Sequence, residues 1–291
     1  MDTGSQKTFS SMEKLQKINI TECQGWLPQR ADDAHKGSNG RVLIVGGEQS
    51  MAGACCLAGW ASYVAGAGLV RVATIAANTG SITSCRPELL VSGIDETFQL
   101  RKLLQQVDVI ALGPGLGQTK WSRQMFEFCL EHNDPHLIDA DALNLLAQTP
   151  DKRDSWILTP HVAEAARLLN TQVDEIQANR LSAAREIVSL YGGTCILKGK
   201  DSLIVTEKNK RICPYGNAAL AVAGTGDVLT GVLAGLLAQG MESNRASQSA
   251  VALHACAADI YTAENGLVGM LASDLMEPLR RLRNGLKMKD E

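Results

Sequence analysis

Aromatic residues are scarce in this sequence: four Phe, four Tyr and four Trp among 291 residues. That scarcity weakens any reading built on bases stacked against an aromatic surface. An excess of one charge is missing as well. Lys and Arg number 28 against 31 Asp and Glu, a formal net charge of −3, so neither nucleic acid nor an acidic membrane is indicated as a partner. None of the eight cysteines stands in a C-x-x-C pair, which removes the common zinc and redox spacings. Cys23, Cys55, Cys56, Cys85, Cys129, Cys195, Cys213 and Cys256 are expected as reduced, mostly buried thiols of a cytoplasmic protein. The opening MDTGSQKTFSSMEKLQKINI lacks the apolar core of a signal peptide. The most apolar stretch, Ala218 to Ala238, is broken by Asp227 and by glycines, so it is expected as a buried helix and not as a membrane span.

What is present is an ordinary globular composition, 45% apolar and 20% charged, in a chain long enough to bury a sizeable core. Residues 1–30 are polar and weakly patterned and read as an N-terminal arm or extra helix; residues 31–291 read as one domain. From Arg41 onward short β-branched runs alternate with helical stretches. RVLIVGG, LVRVATI, ELLVSG and VDVIALGPGLG read as strands, and HLIDADALNLLA and SWILTPHVAEAARLL run from strand into helix. TCILKGKDSLIVTEKNKRICP reads as an antiparallel meander. The fold class expected from this alternation is α/β, with three αβα layers around a mostly parallel sheet.

Ligands of such sheets sit beyond the carboxyl ends of the strands. The strand exits therefore matter most: Gly46-Gly47, Gly113 to Gly117, Asp139 to Asp141, Thr159 to His161, Lys198 to Ser202 and Gly224 to Asp227. In AGTGDVLTGVLAGLLAQG an acid stands at the mouth of a nearly uncharged helix. Unpaired amides and the dipole at a helix N-terminus favour an anion, and glycines let the backbone close on it. Asp227 is then either a general base beside a phosphate or a helix cap. Asp139 and Asp141 could hold Mg²⁺ or position a substrate, with a cap as the plainer role for Asp141; Asn144 faces the site or the helix surface.

GNAALAVAGTGDVLTGVLAGLLAQG resembles the signature of the ribokinase-like superfamily, and within it the NAD(P)H-hydrate dehydratase family. HKGSNGRVLIVGG, GAGLVRVAT, RPELLV, ALGPGLG, LIDADALNLLA, ILTPHVAEAARLL and LKGKDSLIV resemble the same family, in family order. Many relatives carry an N-terminal epimerase domain, and this chain is expected as the stand-alone dehydratase. The resemblance implies a ribokinase-like sandwich with a sheet of roughly eight or more strands. It implies a reaction in which ADP or ATP phosphorylates the C6 hydroxyl of hydrated NADH or NADPH. Phosphate is then eliminated with help from the ring nitrogen. In the ADP-dependent form, which the GDVLTG wording favours, AMP and phosphate are released.

The resemblance also assigns residues. Asp227 becomes the base, and the Gly224-Thr225-Gly226 backbone holds the migrating charge. Ala54, Gly115 and His161 contact the hydrate; Lys198, Gly199, Lys200, Asp201, Ser202 and Gly226 contact the nucleotide. Each has a plainer alternative: close helix packing for Ala54, a turn for Gly115, a cap for His161, a solvated hairpin for Lys198 to Ser202. Mg²⁺ is implied with the nucleotide, without assigned ligands. A homotetramer is implied too, with Met51 to Gly68 as a candidate contact. One departure is the Ala-Leu-Ala-Val before Ala223, where relatives often carry a methionine-containing stretch and a double glycine. Two other readings stand beside this one. The first is an ATP-dependent kinase of a vitamin precursor such as hydroxymethylpyrimidine or hydroxyethylthiazole, and the second a nucleotide sensor without chemistry.

Overall fold

Val42, Leu43, Ile44 and Val45 are β-branched or aliphatic and wholly buried, the pattern of a strand covered on both faces. The computed structural model describes residues 15–131 and 136–286. In chain order the first half contains β1 (Gln16–Lys17), α1 (Ile20–Gly25), β2 (Arg41–Val45), α2 (Ala52–Ala65), β3 (Leu69–Thr74), α3 (Thr79–Cys85) and β4 (Leu90–Gly93). Then come α4 (Thr97–Leu104), β5 (Val109–Leu112), α5 (Lys120–Leu130), β6 (His136–Ile138), α6 (Asp141–Gln148), β7 (Ile157–Leu158) and α7 (Val162–Leu168). The rest is α8 (Val173–Ala178), α9 (Arg180–Tyr191), β8 (Thr194–Leu197), β9 (Leu203–Val205), β10 (Lys210–Ile212), α10 (Thr225–Ala238), α11 (Ser243–Asn265) and α12 (Met276–Arg283).

The described strands form one sheet in the order β1-β10-β9-β8-β7-β6-β5-β2-β3-β4. From β8 to β4 every neighbour is parallel. β9 runs against both β8 and β10, which is the expected meander. One apolar cluster joins α2, α10, α11 and α12 to one face of the sheet. A second joins α4, α5, α6, α7 and α9 to the other. The result is the expected αβα sandwich.

Two features differ from expectation. Residues 16–27 were read as part of an arm or extra helix, and they carry both a strand and a helix. β1 pairs with β10 at the sheet edge, and Ile18, Cys23 and Leu27 are buried in the first cluster. The remainder of the arm, residues 1–14, lies outside the described residues. The small-residue helix offered as an oligomer contact also has an internal use. α2 and α10 run side by side in the same direction, and a Cβ on Gly231 would lie 2.1 Å from the Ala58 carbonyl oxygen. The glycines on α10 let two backbones touch, and this contact brings both helix N-termini to one edge of the sheet.

The strand order changes direction at β2, which lies between β3 and β5. Such a switch point opens a crevice at the carboxyl ends of the strands. Because β2, β5, β6, β7 and β8 are parallel, the segments that leave them emerge at that same edge.

Candidate active site

Asp139 follows β6 directly, Thr159 follows β7 and Lys198 follows β8. Three adjacent parallel strands thus deliver three polar side chains to one point. Asp139 is 1% exposed. Its Oδ1 accepts from Thr159 Oγ1 at 2.7 Å and Lys198 Nζ at 2.8 Å, and its Oδ2 accepts from Thr230 Oγ1 of α10 at 2.6 Å. Burial works against its charge, but the Lys198 ammonium and the three donors outweigh that and hold the carboxyl below its usual range. Removing one partner of so buried a pair costs about 3–5 kcal/mol.

Ala140 carries a positive φ of 48°, an uncommon conformation for a residue with a Cβ. This backbone reversal sends the two acids of Asp139-Ala140-Asp141 to different partners. Asp141 Oδ2 accepts from the Gly117 amide at 2.8 Å, fixing the Gly113–Gly117 loop. It does not cap α6, whose N-cap is Ala140. Asn144 donates to Asp141 Oδ1 at 3.5 Å and accepts from Arg167 at 3.0 Å, so it too is held among polar neighbours.

Gly115 needs its positive φ of 57°, and a Cβ there would lie 2.7 Å from the Met51 carbonyl and 3.1 Å from the Ala54 Cβ. The structure therefore brings Gly115 and Ala54 together at the N-terminal end of α2.

The cradle sits opposite. Gly224, at φ 92°, is the N-cap of α10, and no side chain caps this end. Thr225 ties the approach by donating to the carbonyls of Leu220 and Val222. Gly226 has no positive φ, and a Cβ there would meet only Lys198 Nζ at 3.5 Å. Lys198 therefore stands beside the cradle. Asp227 lies in the first turn and does not cap it. Its carboxyl is pushed up to about 7 by burial and by Asp139, with Lys198 opposing and Asp141 and Glu164 adding.

His161 is the N-cap of α7. Its Nδ1 accepts from the amides of Ala163 and Glu164, so the ring proton of the neutral imidazole is on Nε2. That nitrogen lies 3.2 Å from Glu164 Oε1. Burial and the neighbouring Lys198 and Arg167 hold the ring at about 4, so it is neutral at ordinary pH. The plainer cap role is thus real, and the side chain, 49% exposed, still borders the crevice.

Glu164 escaped the sequence reading. It is buried, accepts the His161 amide at 2.7 Å and lies 3.8 Å from Lys198. Burial lifts its carboxyl to about 7 against the pull of Lys198. The capping-box spacing His161-x-x-Glu164 was the available signal. His254 of α11 escaped as well. It is buried, its Nε2 has no hydrogen-bond partner among the described residues, and burial holds the ring neutral at about 4. Gly199 to Ser202 form the exposed turn between β8 and β9, closed by Ser202 and Gly199 on one another. Arg180, also missed, braces that turn through the carbonyls of Leu197, Lys200 and Asp201.

For Mg²⁺, the described residues contain no cluster of three or more metal-binding side chains, and both oxygens of Asp139 are occupied by protein donors. The described residues build no cage of their own. An ion carried on nucleotide phosphates and water requires none. A separate cleft of about 910 Å³ lies at the C-terminal end of α2, lined in part by Arg30, Arg86, Arg280 and Arg283. Arg30 and Arg283 there donate to the Gly66 and Ala65 carbonyls that end α2, a helix-capping use. Arg86 stacks on Trp60. No cluster of titrating acids lines that cleft, unlike the crevice.

The sequence model of the family described as NAD(P)H-hydrate dehydratase matches residues 42–281. A bifunctional NAD(P)H-hydrate repair enzyme of Coxiella burnetii is 42% identical over 89% of this chain and 53% of its own length. This chain thus spans about half the length of the first curated relatives it matches. An ADP-dependent (S)-NAD(P)H-hydrate dehydratase of Neisseria meningitidis is 37% identical over 88% of each chain. Among solved structures, an ADP/ATP-dependent NAD(P)H-hydrate dehydratase of Bacillus subtilis, co-crystallised with ATP and Mg²⁺, superposes with a TM-score of 0.82. It is 29% identical and covers 95% of this chain and 100% of that one. With an uncapped acid beside a glycine cradle at a ribokinase-like switch point, and with these matches, the chain belongs to the NAD(P)H-hydrate dehydratase family.

Proposed function

We propose that this chain is an ADP-dependent (S)-NAD(P)H-hydrate dehydratase, restoring NADH or NADPH from the 6-hydroxy hydrate with release of AMP and phosphate. The observation that carries the reading is Asp227, a partly buried carboxyl at a helix mouth, bound to no cap position and lifted to about 7. A general base works best with a pKa near the operating pH.

In this mechanism the ring of the hydrate lies between Ala54, Gly115 and His161, and the nucleotide between Lys198–Ser202 and Gly226. Asp227 takes the proton of the C6 hydroxyl as its oxygen attacks the terminal phosphoryl group. The amides of Thr225 and Gly226, with Lys198, meet the charge of that group. AMP departs. The ring nitrogen then expels phosphate from C6, and the proton lost from the neighbouring ring carbon leaves with it. Mg²⁺ bound with the nucleotide would neutralise phosphate charge. The kinase alternative uses the same base and cradle, and the family match over residues 42–281 weighs against it.

The eight free cysteines support a reducing, cytoplasmic setting. No described helix is long and apolar enough to cross a membrane. A homotetramer belongs to the same proposal, supported by the exposed Leu267, Val268 and Leu271 beside Ala272, which packs on Gly224; light scattering gives its mass.

His161→Ala is expected to raise the KM for the hydrate more than that for ADP. It also removes a cap worth about 1 kcal/mol, so a lower Tm accompanies it. Steady-state kinetics in which only the ADP term moves would reverse the placement of His161. The activity itself is tested by mixing hydrated NADH with the protein and each nucleotide in parallel.

A further inference from the structure

The geometry points to Asp139 as a positioning residue that fixes the Lys198 ammonium at the floor of the cradle and keeps it from closing on Asp227. This inference rests on the proposed role of Asp227 as the base, and it concerns a residue to which that mechanism gives no work.

Three observations carry it. Asp139 is nearly inaccessible, so it does not touch substrate, and its three donors come from three different elements: the exits of β7 and β8 and the second turn of α10. Lys198 is shared. Its Nζ lies 2.8 Å from Asp139 and 3.8 Å from Glu164, and it is the group nearest the Gly226 position of the cradle. Thr230 hydroxyl and Asp227 stand on the same helix three residues apart, so the clamp on Asp139 and the carboxyl it protects belong to one rigid segment. An ammonium free to move would pair with Asp227, lower its basicity and occupy the space where a phosphoryl group must enter.

The charged and titrating groups that act on Asp227 come from five elements. They are Asp139 after β6, Asp141 on α6, Glu164 on α7, Lys198 after β8 and Cys55 on α2. Asp139 acts on it in two ways with the same sign. Its negative charge disfavours ionisation of Asp227 directly, and its hold on Lys198 limits the opposing positive charge. Loss of Asp139 therefore lowers the Asp227 midpoint on both counts. The direct charge effect alone lowers the midpoint, so the hold on Lys198 is read separately in Asp139→Glu, which keeps the charge and moves the ammonium.

The test is carboxyl titration of Asp227 by carbon NMR in the folded, substrate-free protein, for the wild type and Asp139→Asn. The resonance is assigned by its loss in Asp227→Asn. The Asp227 midpoint is expected to fall by about one unit or more in Asp139→Asn, the scale on which a neighbouring charge acts. A midpoint that stays in place overturns the inference. Asp139→Glu covers the case in which the asparagine variant does not fold. It keeps the charge but pushes Lys198 by one methylene toward the cradle, and ADP affinity by calorimetry is expected to fall about tenfold or more. Unchanged affinity in the folded glutamate variant overturns the inference equally. Neither readout requires turnover. If the wild type fails to dehydrate the hydrate while the midpoint still shifts, the reaction assignment is wrong and the positioning role of Asp139 stands.

Discussion

Asp227→Asn is expected to cost roughly 10²- to 10⁴-fold in turnover, the contribution of a positioned base, and to stabilise the fold. Both effects have one cause. The carboxyl is raised from 3.8 to about 7 in the folded protein, chiefly by burial and by the charge of Asp139. Between these two values the native state binds more protons than the unfolded state, so stability declines as pH rises through that window. Above about 7 the penalty is complete, and asparagine does not carry it. A shift of this size corresponds to about 4 kcal/mol without solvent screening. With the side chain partly open to solvent, about 1–3 kcal/mol is the expected gain. The Tm of Asp227→Asn is therefore expected above that of the wild type at pH 8, with the difference closing as the pH falls toward 4. Thermal scans at several pH values check this, together with initial rates. Wild-type-like turnover would remove Asp227 from the mechanism, and an equal Tm at all pH values would remove the strained carboxyl.

Gly226→Val is expected to leave the protein folded and to weaken productive nucleotide binding. The geometry separates these outcomes. Gly226 has no positive φ, so a side chain there is not forbidden by the backbone, contrary to one reason the sequence offers for a glycine. Space beside it is also adequate, since a Cβ would meet only the flexible end of Lys198 at 3.5 Å. A cradle position gives the glycine a different purpose. The two methyl groups of valine would stand where the migrating phosphoryl group needs the helix amides, and loss of one such donor alone costs about 10²-fold or more. Turnover is expected to fall by about that factor and calorimetry to show weakened ADP binding, with a circular dichroism spectrum like that of the wild type. Unchanged affinity would mean that the nucleotide lies elsewhere.

The layers and the direction of the sheet were legible because the strands are buried on both faces and read as runs such as Val42 to Val45, while the glycine-rich exits mark where each one stops. The meander was legible for the same reason, from β8, β9 and β10 separated by polar turns. Residues 16–27 were not. Their two-residue strand and six-residue helix are too short for a periodic pattern, and Cys23 is buried where α1 packs against α11.

Within the site, the exits named Asp139, His161, Lys198 and Asp227 individually, since each follows a strand or opens a helix. What the sequence leaves open is which way the side chains turn. Asp139 and Asp141 are indistinguishable in DAD until the positive φ of Ala140 divides them between Lys198 and the Gly117 amide. Glu164 and Thr230 sit in helices where an acid or a hydroxyl reads as surface or filler. Only the closure of α7 and α10 over the strand ends makes them neighbours of Lys198 and Asp139.

The account stands most directly on the fate of the phosphoryl group when hydrated NADH, ADP, Mg²⁺ and the protein are combined. An ordinary alcohol would keep the phosphate as a stable ester, whereas an oxygen on the carbon beside the ring nitrogen becomes a leaving group once phosphorylated. Absorbance of the restored NADH and phosphorus NMR of the same mixture follow both products. The account predicts one free phosphate for each NADH restored and no lasting phosphorylated substrate. A persistent phosphoester on a pyrimidine or thiazole alcohol, with no response to hydrated NADH, would contradict it.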